Sequence, residues 1–245
     1  MIIDQELCIG CGLCIPWCPL GAISKGPDGV TIDNDECVEC CLCLRNAGCP
    51  AGALNQPPLS GPRAYRKAFS DPLGKHENTD LQHKGRGTEE VKTNDVTGLV
   101  YKHDLIAMAI EPGRPLVGAR FRDVQKIAQA IAPYVENYVR ENPTTRLMID
   151  QEKGLFDPAI LNEKVMSCIL EFTIKLENLD GILKAMRKVE KEIDCVFSAG
   201  VVAIADENGE SKAERIMRDF GITFDRYSTK VNMGMGRPLF KAPEA

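Results

Sequence analysis

The strongest constraint on this 245-residue chain is a duplication at its front. "IDQELCIGCGLCIPWCPLGAI" (residues 3–23) lines up with "IDNDECVECCLCLRNAGCPAGAL" (residues 32–54). Ile3-Asp4 matches Ile32-Asp33, and Cys8, Cys11 and Cys14 match Cys37, Cys40 and Cys43. Cys18-Pro19 matches Cys49-Pro50, and Gly21-Ala22-Ile23 matches Gly52-Ala53-Leu54. The second copy is two residues longer before its last cysteine, and Cys41 stands where the first has Gly12. The duplication therefore selects eight cysteines and leaves Cys41 out.

Nine of the eleven cysteines lie in the first 49 residues. Such density serves either disulfides or metal ligation. The spacing is C-x-x-C, and the start "MIIDQELC" has neither the basic nor the apolar region of an export signal, so ligation and a cytoplasmic location are expected. No stretch reaches the ~18 apolar residues of a membrane helix. Zinc favours two C-x2-C pairs on separate arms, without triplets and without Cys-Pro.

The run C-x2-C-x2-C-x3-C-P, present without deviation over residues 8–19, resembles that of the bacterial dicluster ferredoxins. In that family three closely spaced thiolates take three corners of one cubane, and the cysteine before proline is carried to the other. The resemblance implies two [4Fe–4S] clusters. Cys8, Cys11, Cys14 and Cys49 would hold one, and Cys37, Cys40, Cys43 and Cys18 the other. Gly10 and Gly12 would let backbone amides approach the sulfurs, which helps set the potential. The departure is C-x5-C-P after Cys43; its extra residues, within "LRNAG", are expected to bulge as a loop beside the first cluster.

Charge is uneven. Residues 1–56 carry seven acids and two bases, a balance of −5, whereas totals of 35 acids and 30 bases leave 28 of each elsewhere. An acidic front suits a basic protein surface and argues against nucleic acid or anionic lipid.

Residues 56–97 hold four prolines and four glycines without lasting periodicity, and read as a linker or partner-binding arm. Residues 98–245 read as a small helix-on-sheet domain. Strands are expected in 98–111, 146–150, 165–176, 195–206 and 223–234; helices in 120–139, 179–193 and 211–220, the last capped by Gly221. The whole is α+β, a dicluster ferredoxin domain (1–55) followed by an α+β docking or substrate domain. "GRPLV" (113–117) and "GRPLF" (236–240) echo each other, and Arg114 and Arg237 in them could meet an anion. Cys168 and Cys195 stand alone within predicted strands and read as core residues. No dinucleotide, nucleophile-elbow or phosphate-loop motif is present. "GRGTEEVKTNDVTG" and "EPGRPLVGARFRDV" are similar to sequences of ferredoxin-coupled ring reductases such as 6-hydroxynicotinate reductase.

Three functions follow. The first is an electron-transfer protein or subunit whose redox partner is a larger reductase or dehydrogenase subunit. The second is a self-contained reductase of a small, aromatic substrate held by the back domain. The third is a non-redox binding protein whose clusters are structural.

Overall fold

A computed structural model of the chain describes residues 1–27, 29–74, 99–114, 118–140 and 142–224. The duplicated segments fold as two interlocked copies. In each, an aspartate turns the chain towards the first cysteine. Asp4 Oδ1 accepts from the amides of Glu6 (3.0 Å) and Leu7 (3.3 Å), and Asp33 Oδ1 from those of Asp35 (2.8 Å) and Glu36 (3.3 Å). The Asp4 and Asp33 carbonyls then accept from the amides of Cys8 and Cys37 at 3.0 and 2.9 Å.

Each copy closes on the other. Strand β1 (Ile2–Ile3) pairs antiparallel with β4 (Leu54–Asn55), and β2 (Ile23–Gly26) with β3 (Gly29–Ile32). Asp4 N donates to Ala53 O, and Asp33 N to Ala22 O, both at 2.8 Å. The tail of each copy is thus fixed to the start of its twin. Helix α1 (Leu42–Asn46) takes in the insertion of the second copy. The expected loop is instead a helical turn, because Arg45 within it bonds Cys40 O (2.7 Å) and Asp71 (2.9 Å).

Helix α2 (Ala64–Ser70) lies inside the stretch read as a linker. Pro62, in the preceding 3-10 turn (Gly61–Arg63), lacks an N–H to strand and so suits the start of a helix. Phe69, with Tyr65 and Ala68, packs into the core of the following domain. Its ring stands edge-on to Phe121, centroids 5.6 Å apart. Residues 75–98 lie outside the described residues.

The following domain is built on a four-stranded antiparallel sheet. Its order is β12 (Phe197–Val202), β5 (Leu105–Pro112), β11 (Leu170–Lys175), β7 (Val135–Tyr138). Two short pairs flank it: β6 (Ala119–Arg120) with β10 (Lys164–Val165), and β8 (Met148–Asp150) with β9 (Leu155–Phe156). Period-two alternation sends Ile106, Met108, Ile110, Leu170, Phe172 and Ile174 to one face, each at most 1% exposed. Helices α3 (Phe121–Ile131) and α5 (Leu179–Val189) cover that face with apolar stripes at three- and four-residue spacing. Helix α4 (Pro143–Arg146) is short, and α6 (Lys212–Asp219) is capped by Ser211, whose hydroxyl accepts from Glu214 N.

Several predicted elements run shorter than expected, among them the strands at 98–111 and 195–206, which are Leu105–Pro112 and Phe197–Val202. The helix expected over 120–139 stops at Ile131, because Pro133 cannot donate to the preceding turn, and 135–138 becomes a strand. The strand expected over 165–176 is two pieces. Met166 N donates to Ser70 Oγ and Ile169 N to Thr144 Oγ1, so side chains take amides that a continuous ladder would use. The strand expected at 223–234, the echo at 236–240 and Arg237 lie outside the described residues. Among those described, no helix is long and apolar enough to cross a membrane.

Phe69 joins α2 to the core, so Phe69→Ala should cost about 3 kcal/mol in urea unfolding. A loss below about 1 kcal/mol would show that α2 is not packed as described.

Candidate metal centre

The Cys-Pro turns decide which cysteines meet. After each, the chain bends through Gly21 N→Cys18 O (3.3 Å) or Gly52 N→Cys49 O (3.2 Å) and then pairs with the opposite copy. Cys8, Cys11, Cys14 and Cys49 consequently line one cavity of about 350 Å³, with Ile9 and Leu13 at its wall. Cys18, Cys37, Cys40 and Cys43 line a second of about 360 Å³, which Cys41 and Trp17 also border. Each cavity thus receives one cysteine from the opposite copy, Cys49 in the first and Cys18 in the second, beside three cysteines of the first copy in one and four of the second copy in the other. Cys168 and Cys195 border neither; Cys168 lies in the core of the sheet domain, with Cys195 packed against it.

The donor set has the chemistry of an iron–sulfur cluster: soft thiolates gathered around each of two apolar-walled cavities. No described cysteine is in a disulfide.

The backbone treats the sulfurs unequally. The Cys49 thiol is held below its ordinary value by the amides of Ala53 and Ala51, with those of Leu54 and Gly52 adding to it. At the corresponding place in the other copy, Ala22 N donates to Cys18 Sγ at 3.1 Å. Burial pushes Cys14, Cys37 and Cys40 up and takes Cys43 to about 11. A metal bound there must displace these protons.

Left-handed backbone recurs at matching positions of the two copies. Gly10 and Gly12 have φ of 68° and 78°, and their counterparts Glu39 and Cys41 have 57° and 58°. A side chain in that region costs about 1–2 kcal/mol, and both second-copy residues are buried. Glu39 is fully buried. Its carboxylate takes the N-terminal ammonium on Oε2 and Arg63 on Oε1 (Nη2 2.5 Å, Nε 3.0 Å), with Gln56 Nε2 at 3.4 Å. Burial pushes Glu39 up, but the ammonium and Arg63 outweigh it and hold the carboxyl below its usual range. Cys41, 3% exposed, donates its thiol to Glu39 O at 3.5 Å and is taken by burial, then by Asp71, to about 11.

A third set of residues grips the second copy from outside. Arg66, itself 3% exposed, donates from Nη1 to the carbonyls of Asn34 (3.0 Å), Asp35 (2.7 Å) and Cys37 (2.8 Å), and from Nε to Glu163. Arg120 Nη2 meets Asp35 at 2.8 Å and Glu36 at 2.7 Å, and Lys164 pairs with Glu36. These cations hold Asp35 and Glu36 below the carboxylate range: at Asp35 the Arg120 hydrogen bond leads, at Glu36 that of Lys164. Sequence reasoning missed Glu39, Arg63 and Arg66. The available signal was Glu39 at the place of Gly10, together with arginines spaced to share one face at the start of α2.

A family model described as 4Fe-4S binding domain matches residues 1–24. The chain is 30% identical over 94 residues to a ferredoxin of Pyrobaculum islandicum, a match covering 38% of this chain and 83% of that protein. It is 38% identical over 56 residues to PorD, a pyruvate synthase subunit of Methanocaldococcus jannaschii, covering 22% and 63%. It is also 38% identical over 70 residues to one subunit of the H(2):CoB-CoM heterodisulfide,ferredoxin reductase of Methanothermobacter marburgensis, covering 21% and 10%. The chain thus spans 63% of PorD's length and 10% of the reductase subunit's. No solved structure matches it.

Because Cys41 occupies a glycine's conformation, Cys41→Gly should stay within about 1 kcal/mol of the parent, while a β-branched Cys41→Val should lose about 2 kcal/mol. Thermal unfolding of the two variants side by side checks this; equal losses would sink it.

Proposed function

The chain belongs to the 4Fe–4S ferredoxin family, and from that premise we propose that it passes single electrons through two [4Fe–4S] clusters to or from a larger oxidoreductase. The observation that carries this reading is the exchange of cysteines between the two cavities, Cys49 of the second copy lining the first and Cys18 of the first copy lining the second. Cys8, Cys11, Cys14 and Cys49 would hold one cluster; Cys37, Cys40, Cys43 and Cys18 the other. When bound, each cluster takes up and gives back one electron. The chain's own part is to hold the thiolates, aim amides at Cys49 and Cys18, and keep apolar walls around both sites. Cys41 is no ligand on this reading; it fills the wall of the second cavity.

Residues 1–55 are then the redox head. Residues 98–245 dock that head onto a catalytic partner, and 56–97 are the arm between them. Two relatives carry the names of subunits, one of a pyruvate synthase and one of a reductase, which supports an oxidoreductase of several chains as the setting.

A second reading, a reductase whose back domain binds substrate, draws on a polar group at one end of the sheet. Glu111, 5% exposed, accepts from Arg114 Nη1 and Ser198 Oγ, both at 3.1 Å, and Arg114 Nε donates to Ser167 Oγ at 3.0 Å. Steady reduction of a small ring substrate by the purified chain with dithionite as donor would favour it over the first.

Anaerobic purification should give roughly eight iron and eight sulfide per chain. Cys18→Ser and Cys49→Ser should each lower the iron to about half, and each should remove a different one of two EPR signals. Four iron in the parent protein would overturn the two-cluster assignment.

A further inference from the structure

The two copies share a backbone but not their surroundings. In the second, the turn from Asn34 to Glu39 is covered. Arg66 occupies three of its carbonyls, Arg120 and Lys164 hold its acids, and Val38, set between the Arg66 and Arg63 contacts, is 3% exposed. The duplication carries these positions onto Gln5, Glu6, Leu7, Cys8 and Ile9 of the first copy. There Ile9, the counterpart of Val38, is 69% exposed. Leu7 and Leu13 are each 50% exposed, and Cys11 is exposed as well. Ile9 and Leu13 also line the first cavity.

We propose that this face of the first copy is the docking surface for a redox protein that presents an apolar patch bearing arginine or lysine, seated as the back domain is seated on the second copy. The inference rests on the proposed electron-transfer function. Three lines carry it. First, the molecule contains one example of what covers this kind of turn: a buried guanidinium on the carbonyls and cations on the acids, with the residue after the first cysteine 3% exposed. Second, where the second copy has Glu36 the first has Leu7, and Ile9 and Leu13, at the wall of the first cavity, are exposed as well. An apolar cluster of this kind at the mouth of a cavity marks an interaction site more than scattered surface leucines do. Third, exposed Glu6 stands at the place of Asp35, whose carboxylate Arg120 holds at 2.8 Å in the second copy, so a basic rim on the incoming protein has a carboxylate to meet, whereas a second copy of this chain seated here would set Glu6 against Glu6. Docking here sets the partner over exposed Cys11 and the first cavity.

The test uses the full chain with its iron restored anaerobically, and cytochrome c as a basic electron acceptor of the stated chemistry. Amide hydrogen exchange with and without cytochrome c should show new protection centred on residues 5–14. In stopped-flow mixing of the reduced chain with cytochrome c, Leu7→Ser should slow transfer about tenfold. Leu7→Lys should slow it further and Leu7→Glu less, with iron content unchanged in all three. A purely structural role for Leu7 would not distinguish lysine from glutamate. Protection elsewhere, unchanged rates, or a dimer in sedimentation that Leu7→Ser splits would overturn the proposal. A chain holding no reducible cluster would instead overturn the electron-transfer function, and the exchange protection, which needs no electron transfer, would still decide the docking face.

Discussion

The guanidinium of Arg66 sits between the redox head and the sheet domain, 3% exposed, and bonds three carbonyls of the second copy and the carboxylate of Glu163. Removing a guanidinium from water costs several kcal/mol, so a buried one persists only where its donors are met. Here they are met by main-chain oxygens just before and at the first cysteine of the second set. The same contact therefore joins the domains and fixes the loop on which Cys37 is carried. A head of about 55 residues is too small to bury a large core of its own. Helix α2 and the turn before it offset this by facing two ways, with Tyr65 and Phe69 in the large core and Arg63 and Arg66 on the head.

This dual role explains which parts of the molecule could be read from sequence. The head was legible because a duplication states its pairing twice. Ile3-Asp4 and Ile32-Asp33 each begin a turn that its twin completes, and the Cys-Pro spacing sends Cys18 and Cys49 across. The body's helices were legible because 121–131 and 179–189 carry unbroken apolar stripes. Helix α2 was not, because its seven residues are too few to display a period and its neighbours are prolines and glycines. Its helicity comes from contacts on both sides, which composition does not record. The strand at 165–176 was misjudged for a related reason: Ser70 and Thr144, distant in sequence, claim the amides of Met166 and Ile169.

The left-handed positions show the same limit more sharply. In the first copy the requirement is written as Gly10 and Gly12. In the second the same φ is met by Glu39 and Cys41, residues whose presence would argue against it. The strain is tolerated because both side chains gain buried partners: Glu39 an ammonium and Arg63, Cys41 an interior site beside α2 and Asp71. Backbone conformation was inherited by position, and side chains were free to change wherever new contacts compensated them.

That freedom was used on one side only. Glu36, Glu39, Cys41 and the insertion carrying Arg45 all belong to the second copy, and each touches Arg63 just before α2, Asp71 just after it, or the sheet domain. The acidity read as a surface for a partner is thus partly spent within the chain, on Arg120, Lys164 and Arg63. The first copy keeps its glycines and keeps Leu7, Ile9 and Leu13 in water. Symmetry of backbone combined with asymmetry of contact leaves the two cavities in different surroundings: the turn beside the second is held by Arg66, Arg120 and Lys164, and the turn beside the first keeps Leu7 and Ile9 exposed.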